Sequence, residues 1–151
     1  MVLNTNHMSF TVGDIDRCIR FFTRNFEFEL EGVRYDITAA YLKKVIGYPD
    51  GILHIAFLRF PGGRIELVEY KKPKGKMLDT STKNIGSAHI CLDVSDIHVL
   101  YERLKKNGIT CVSEPVLITK GPNEGAYVVY VKGPDGINIE LYQKPIQIAN
   151  N

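Results

Sequence analysis

Two histidines and two glutamates stand at repeated places along this chain. His7 opens HMSFTVGDIDRCIRFFTRN and His89 opens HICLDVSDIHVLYERLKKN, offset by 82 positions, with further identities at Val12/Val94, Asp14/Asp96, Ile15/Ile97 and Asn25/Asn107. Glu66 lies in PGGRIELVEY and Glu140 in GPDGINIELYQK, offset by 74, with identities at Gly62/Gly136, Ile65/Ile139 and Leu67/Leu141. Two imidazoles and two carboxylates form a suitable nitrogen/oxygen set for one divalent transition metal ion, with Zn, Ni, Co, Mn and Fe all open. Four such ligands leave one or two positions for water or substrate. A single strand histidine is more often a surface or satisfied residue than a ligand. It is the recurrence at matched positions that makes these four a candidate site.

The elements needed to position them follow from hydrophobic periodicity. Met8, Phe10 and Val12 alternate with His7, Ser9 and Thr11, and Ile90, Leu92 and Val94 alternate with His89, Cys91 and Asp93. Each is a strand with one apolar face and one face carrying the histidine. A helix follows each strand, capped by Asp14 or Asp96. Its apolar stripe is Ile15, Cys18, Ile19 and Phe22 in the first copy and Ile97, Leu100, Tyr101 and Leu104 in the second, where Gly108 stops it. Three further strands are expected in each copy, near 26–35, 52–60 and 64–70, then near 110–118, 126–132 and 137–143. PGG at 61–63 and GPDG at 133–136 make the matching hairpin turns. The first copy carries an insert around 37–50, in which Ala39, Leu42, Val45 and Ile46 suggest a short helix ended by Gly47.

The reading is α+β: two tandem βαβββ modules forming a cupped, partly open mixed β-sheet barrel with helices outside. Module one spans 5–70, a polar linker containing KKPKGK spans 71–84, and module two spans 85–144, all within a single domain of 1–151. Strand parity places Glu66 and Glu140 on the sheet face away from the helices, with His7 and His89.

Other chemistry-bearing residues are weighed against plainer roles. Parity puts Glu69 on the opposite face from Glu66, and it reads as a peripheral polar residue. His54, in LHIAFLRF, is a candidate substrate contact or a satisfied sheet histidine. Thr11 and Tyr142 share the candidate face and are substrate-contact candidates. His98 reads as an exposed helix residue. Cys18, Cys91 and Cys111 are odd in number, with no CxxC pair, so no disulfide framework or thiolate zinc site is indicated. Lys71, Lys72, Lys74 and Lys76 could attract an anion but suit a solvated linker better. No phosphate-binding glycine loop or GxSxG element is present.

The chain of 151 residues is 44% hydrophobic and 24% charged, which fits a globular protein and argues against disorder. Lys plus Arg is 19 and Asp plus Glu is 17, for a net charge of +2, so no strongly basic character points to nucleic acid. No apolar run reaches membrane-spanning length, and the N-terminal residues lack a signal-peptide pattern. A reduced, cytoplasmic protein with a small-molecule substrate, and no nucleic-acid or membrane partner, is expected.

In order and spacing these motifs resemble the vicinal oxygen chelate superfamily of glyoxalase I, methylmalonyl-CoA epimerase, extradiol dioxygenases and antibiotic-resistance (bleomycin-type) proteins. The resemblance covers about residues 5–144. It implies a pair of βαβββ modules around one metal, with His7, Glu66, His89 and Glu140 at the four ligand positions in the glyoxalase I pattern, and a homodimer. It implies a metal-dependent lyase or isomerase, similar to lactoylglutathione lyase or an epimerase, working through an enediolate or enolate on a small carbonyl or thioester. Glu140 or Glu66 would be the base; the sequence does not choose. The alternatives are a ring-cleaving iron dioxygenase using His7, His89 and Glu140, or a non-catalytic drug- or metabolite-binding protein. Two departures from the compact glyoxalases are Thr11, where they tend to carry an arginine, and the insert at 37–50.

Overall fold

In the computed structural model, residues 1–145 are described. The chain divides into two compact units, Met1–Met77 and Leu78–Asn151. In unit one the order is β1 (Met8–Thr11), α1 (Ile15–Phe26), β2 (Glu29–Ile37), α2 (Ala40–Ile46), β3 (Ile52–Phe60) and β4 (Gly63–Lys72). In unit two it is β5 (His89–Asp93), α3 (Ile97–Lys106), β6 (Val116–Leu117), β7 (Tyr127–Lys132) and β8 (Asn138–Gln143), with a single 3-10 turn at Pro134–Gly136. Each unit carries a four-stranded mixed sheet, ordered β1-β4-β3-β2 and β5-β8-β7-β6. The first and last strands of each unit pair in parallel and the others antiparallel. The fold is therefore α+β, with the βαβββ pattern used twice.

Both parallel pairs need a crossover, and a capped amphipathic helix supplies it. The Asp14 carboxylate accepts from the Arg17 N–H at 2.9 Å, and Asp96 accepts from the Val99 N–H at 3.0 Å, satisfying donors that open helices leave unpaired. Ile15, Cys18 and Phe22 of α1 are buried, as are Ile97 and Leu104 of α3. They meet the apolar faces of β4 and β8, where Ile65, Leu67, Ile139 and Leu141 are fully buried. Phe28 stacks on both Phe22 and Phe60, with ring centroids 5.2 and 4.7 Å apart. This aromatic stack fixes where α1 must end: Glu27 turns into the left-handed region (φ 59°), so the second strand starts at Glu29 rather than Phe26.

The insert meets its expectation, and one expected strand differs. The insert does form a helix, α2, and it packs on the same sheet face as Glu66: Leu42 and Ile46 lie against the buried cluster Leu53, Ile55 and Val68. The strand expected over 110–118 is reduced to Val116–Leu117 and a single bridge between Cys111 and Val131. The chain follows β7 at Thr110 and Val112, leaves it through Ser113-Glu114-Pro115, and rejoins it at Val116. Pro115 has no N–H to give to a ladder, and the residues before it bend away.

Candidate metal centre

Strand register brings each histidine beside a glutamate. In unit one Ser9 of β1 lies opposite Glu66 of β4, and in unit two Cys91 of β5 lies opposite Glu140 of β8. His7 and His89, two residues earlier, sit diagonally from those glutamates on the same face, a separation that long side chains span. The His7 Nε2 atom is 3.6 Å from Glu66 Oε2, and the His89 Nε2 atom is 2.9 Å from Glu140 Oε2. Both glutamate side chains are largely shielded, at 18% and 20% exposure.

The surroundings of the two pairs are related but unequal. The Ser9 hydroxyl donates to Glu66 Oε2 at 2.8 Å, whereas the equivalent Cys91 is a poor donor. Opposite Glu66 on β3 stands Phe57, whose ring meets the His7 ring edge-on at 5.6 Å. Opposite Glu140 on β7 stands Tyr130, whose ring meets His89 in the same way at 5.4 Å and whose hydroxyl donates to Glu140 Oε2 at 3.2 Å. Burial, and then the Glu140 charge, push the Tyr130 hydroxyl pKa upward. Burial, followed by Glu140 and Asp93, pushes the Cys91 thiol up to about 11. Tyr70 is shifted upward by burial, then by Tyr48 and Glu66.

His7 is also oriented from behind. Its Nδ1 lies 2.8 Å from Asn6 Oδ1, an acceptor, so Nδ1 donates there and the ring is turned with Nε2 toward Glu66. An imidazole nitrogen and a carboxylate oxygen facing each other in this way are both groups that ligate a divalent cation. In each unit the donors are one imidazole nitrogen and one carboxylate oxygen, types that ligate divalent metals. Among the described residues, no group of three or more His, Cys, Asp or Glu side chains is gathered as a metal site.

Thr11 and Tyr142 lie on the same sheet faces as Glu66 and Glu140, opposite Val68 and Val128 respectively. His54 does not. It pairs directly with Glu69, which places it on the helix-side face, and it is 8% exposed. Its Nδ1 accepts the Asp36 N–H at 2.9 Å, and Tyr35 packs edge-on against its ring. The geometry gives His54 a structural contact in place of the substrate contact considered for it. Nor is Glu69 peripheral. It is buried and accepts the Ile15 N–H at the start of α1 and the Lys71 ammonium, each at 3.0 Å. His98 is exposed, as expected, with its ring edge-on to Tyr127. Asn6, Arg64 and Tyr130 were not anticipated from sequence. Tyr130 had a signal: it precedes the hairpin on the strand paired with Glu140, at the parity that shares its face.

Residues 4–141 match the family described as the Glyoxalase/Bleomycin resistance protein/Dioxygenase superfamily, and the chain belongs to it. It is 29% identical over 144 residues to a 2-epi-5-epi-valiolone epimerase from an Actinomyces species, covering 93% of this chain and 79% of that one. It is 30% identical over 145 residues to a probable lactoylglutathione lyase of Vibrio parahaemolyticus, covering 91% and 88%. Among solved structures, a glyoxalase family protein from Bacillus cereus superposes with a TM-score of 0.83 at 26% identity, covering 96% of each chain. Among the described residues, no helix is long and apolar enough to cross a membrane.

Proposed function

We propose that this protein is a divalent-metal-dependent isomerase or lyase that moves a proton on a carbon next to a carbonyl in a small carbonyl or thioester substrate. The observation that carries the reading is the duplicated pair: a histidine Nε2 beside a glutamate oxygen, built twice by the same strand register. His7, Glu66, His89 and Glu140, drawn from one chain or from two chains of a dimer, would hold one ion. The bound metal would supply Lewis acidity toward the substrate carbonyl. The chain's own part is to hold the substrate on this face and move the proton. A carboxylate suits that task, and Glu66 and Glu140 are the candidates. They differ in their donors: Glu66 accepts from the Ser9 hydroxyl and Glu140 from the Tyr130 hydroxyl. The epimerase and lactoylglutathione lyase names of relatives support proton transfer as the reaction class.

The test is solvent deuterium exchange into 2-epi-5-epi-valiolone and into lactoylglutathione, with purified protein before and after chelation and metal return. Exchange with either compound that is lost on chelation and restored by metal supports the proposal, and whichever of E140Q and E66Q fails to exchange while still loaded with metal identifies the base. Tight binding without exchange, unchanged by chelator, would make it a binding protein. Bound Fe(II) with oxygen uptake on a catechol would make it an oxygenase. Action within the cytoplasm as a homodimer is part of the same proposal, the homodimer being drawn from the family.

A further inference from the structure

Among the described residues, Arg64 is the cation whose contacts tie it to the His7–Glu66 pair. It precedes Glu66 by two residues on β4 and so shares its face. One guanidinium nitrogen, Nη2, donates to Asn6 Oδ1 at 2.9 Å, the same oxygen that receives the His7 Nδ1 proton. The guanidinium carbon lies 4.7 Å from the centroid of the Phe57 ring, and that ring packs against His7. Stacking on Phe57 and the Asn6 bond fix the group in position and plane. On its other side, Nη1 is 3.5 Å from Glu31 Oε2, with the two side chains 37% and 34% exposed. Glu31 stands at the β2/β3 register shift between Leu30 and Gly32, and its other oxygen, Oε1, lies 4.0 Å from Arg59 Nε of β3.

A half-exposed ion pair of that length contributes little to stability. A fixed guanidinium has five N–H donors in a planar fork suited to carboxylate or phosphate, and these two contacts leave donors over. The corresponding place in the other unit is put to a different use. Asn138 lies opposite His89 on β8, is 1% exposed, and is committed to Thr80, Ser87, Ala88 and Lys132. The anchoring charge is therefore a property of unit one.

We propose that Arg64, held by Asn6 and Phe57 and loosely covered by Glu31, anchors an anionic group, a carboxylate or a phosphate, on the substrate beside His7 and Glu66. This builds on the reading of His7 and Glu66 as part of the reaction centre, but its test needs neither metal nor turnover. In metal-free, full-length protein, the Arg64 Nε–H resonance is followed while inorganic phosphate, and separately acetate, is titrated. The expected result is a saturable shift of that resonance with at least one anion. R64K should weaken binding about tenfold, because an ammonium lacks the planar fork. E31Q should tighten it by removing the competing carboxylate. An Arg64 resonance unmoved by both anions in the wild-type protein overturns the proposal, whether or not R64K folds. So does anion affinity unchanged in R64K and E31Q. Because no metal is present, either failure leaves the proton-transfer reading standing, and loss of that reading leaves the anion site standing.

Discussion

Glu69 and Gln143 stand at the same place in the last strands of the two units, and each side chain accepts the first N–H of its own unit's helix. Glu69 takes the Ile15 N–H at 3.0 Å and Gln143 takes the Ile97 N–H at 2.7 Å. A helix start leaves N–H groups without partners, and here the neighbouring strand provides for one of them. The bond also ties β1 and β5, which lead into these helices, to β4 and β8, which carry Glu66 and Glu140. Since unit two uses an amide, the charge of Glu69 is not what this bond requires. E69Q is expected to unfold close to wild type, whereas E69A loses about 1–3 kcal/mol by leaving a buried N–H unpaired. Urea unfolding of both variants checks this; equal losses would mean that the Lys71 contact dominates.

His54 belongs to the scaffold on this account. H54L removes the acceptor for the Asp36 N–H in a buried place. It should destabilise by about 1–3 kcal/mol while leaving metal affinity unchanged. Thermal unfolding with parallel metal titration separates this from a role at the site, which would lower activity or affinity without changing stability.

Asn6 orients His7 through Nδ1. N6A should keep the fold and weaken metal binding about 10–100-fold, the usual cost of losing such an outer contact. Competition with a chromophoric chelator measures this. An affinity equal to wild type would mean that the ring is held by Phe57 packing alone.

Cys91 is exposed on its strand, yet burial of its thiol and the nearby Glu140 and Asp93 charges raise its pKa to about 11. The thiolate is the nucleophile, so a raised pKa means less of it at pH 8. Cys91 of the metal-free protein is expected to react with iodoacetamide about two orders of magnitude more slowly than an ordinary thiol. Its rate should climb as pH rises toward 11, and E140Q should speed it by removing a negative charge. Peptide-level mass spectrometry of the alkylated protein measures each cysteine separately.

Much of this architecture could be read from periodicity, because the repeat offered each element twice. The Asp14 and Asp96 caps, the alternating strands and the glycine-containing hairpins are local signals, and the strand at Ile52–Phe60 falls where they place it. Parity alone put Glu66 and Glu140 on the histidine face. What could not be read depended on partners distant in sequence. Glu69 looked peripheral because nothing in IELVEY announces the Ile15 N–H 54 residues away. His54 needed its pairing with Glu69 to settle its face. The helix at Ala40–Ile46 showed its apolar stripe, but not that the stripe lies on the Glu66 side. The stretch around Pro115 carried enough apolar residues to suggest a continuous strand, and the proline outweighed them.

The two histidine–glutamate pairs are proposed to serve one metal ion. The most direct measurement is metal stoichiometry and affinity for the wild-type protein and for H7A, E66A, H89A and E140A, each checked for folding by circular dichroism. One divalent ion per chain, with binding weakened at least tenfold by each of the four substitutions, is the predicted result. Two independent ions per chain, or retention of wild-type affinity when either the His7–Glu66 pair or the His89–Glu140 pair is altered, would contradict it.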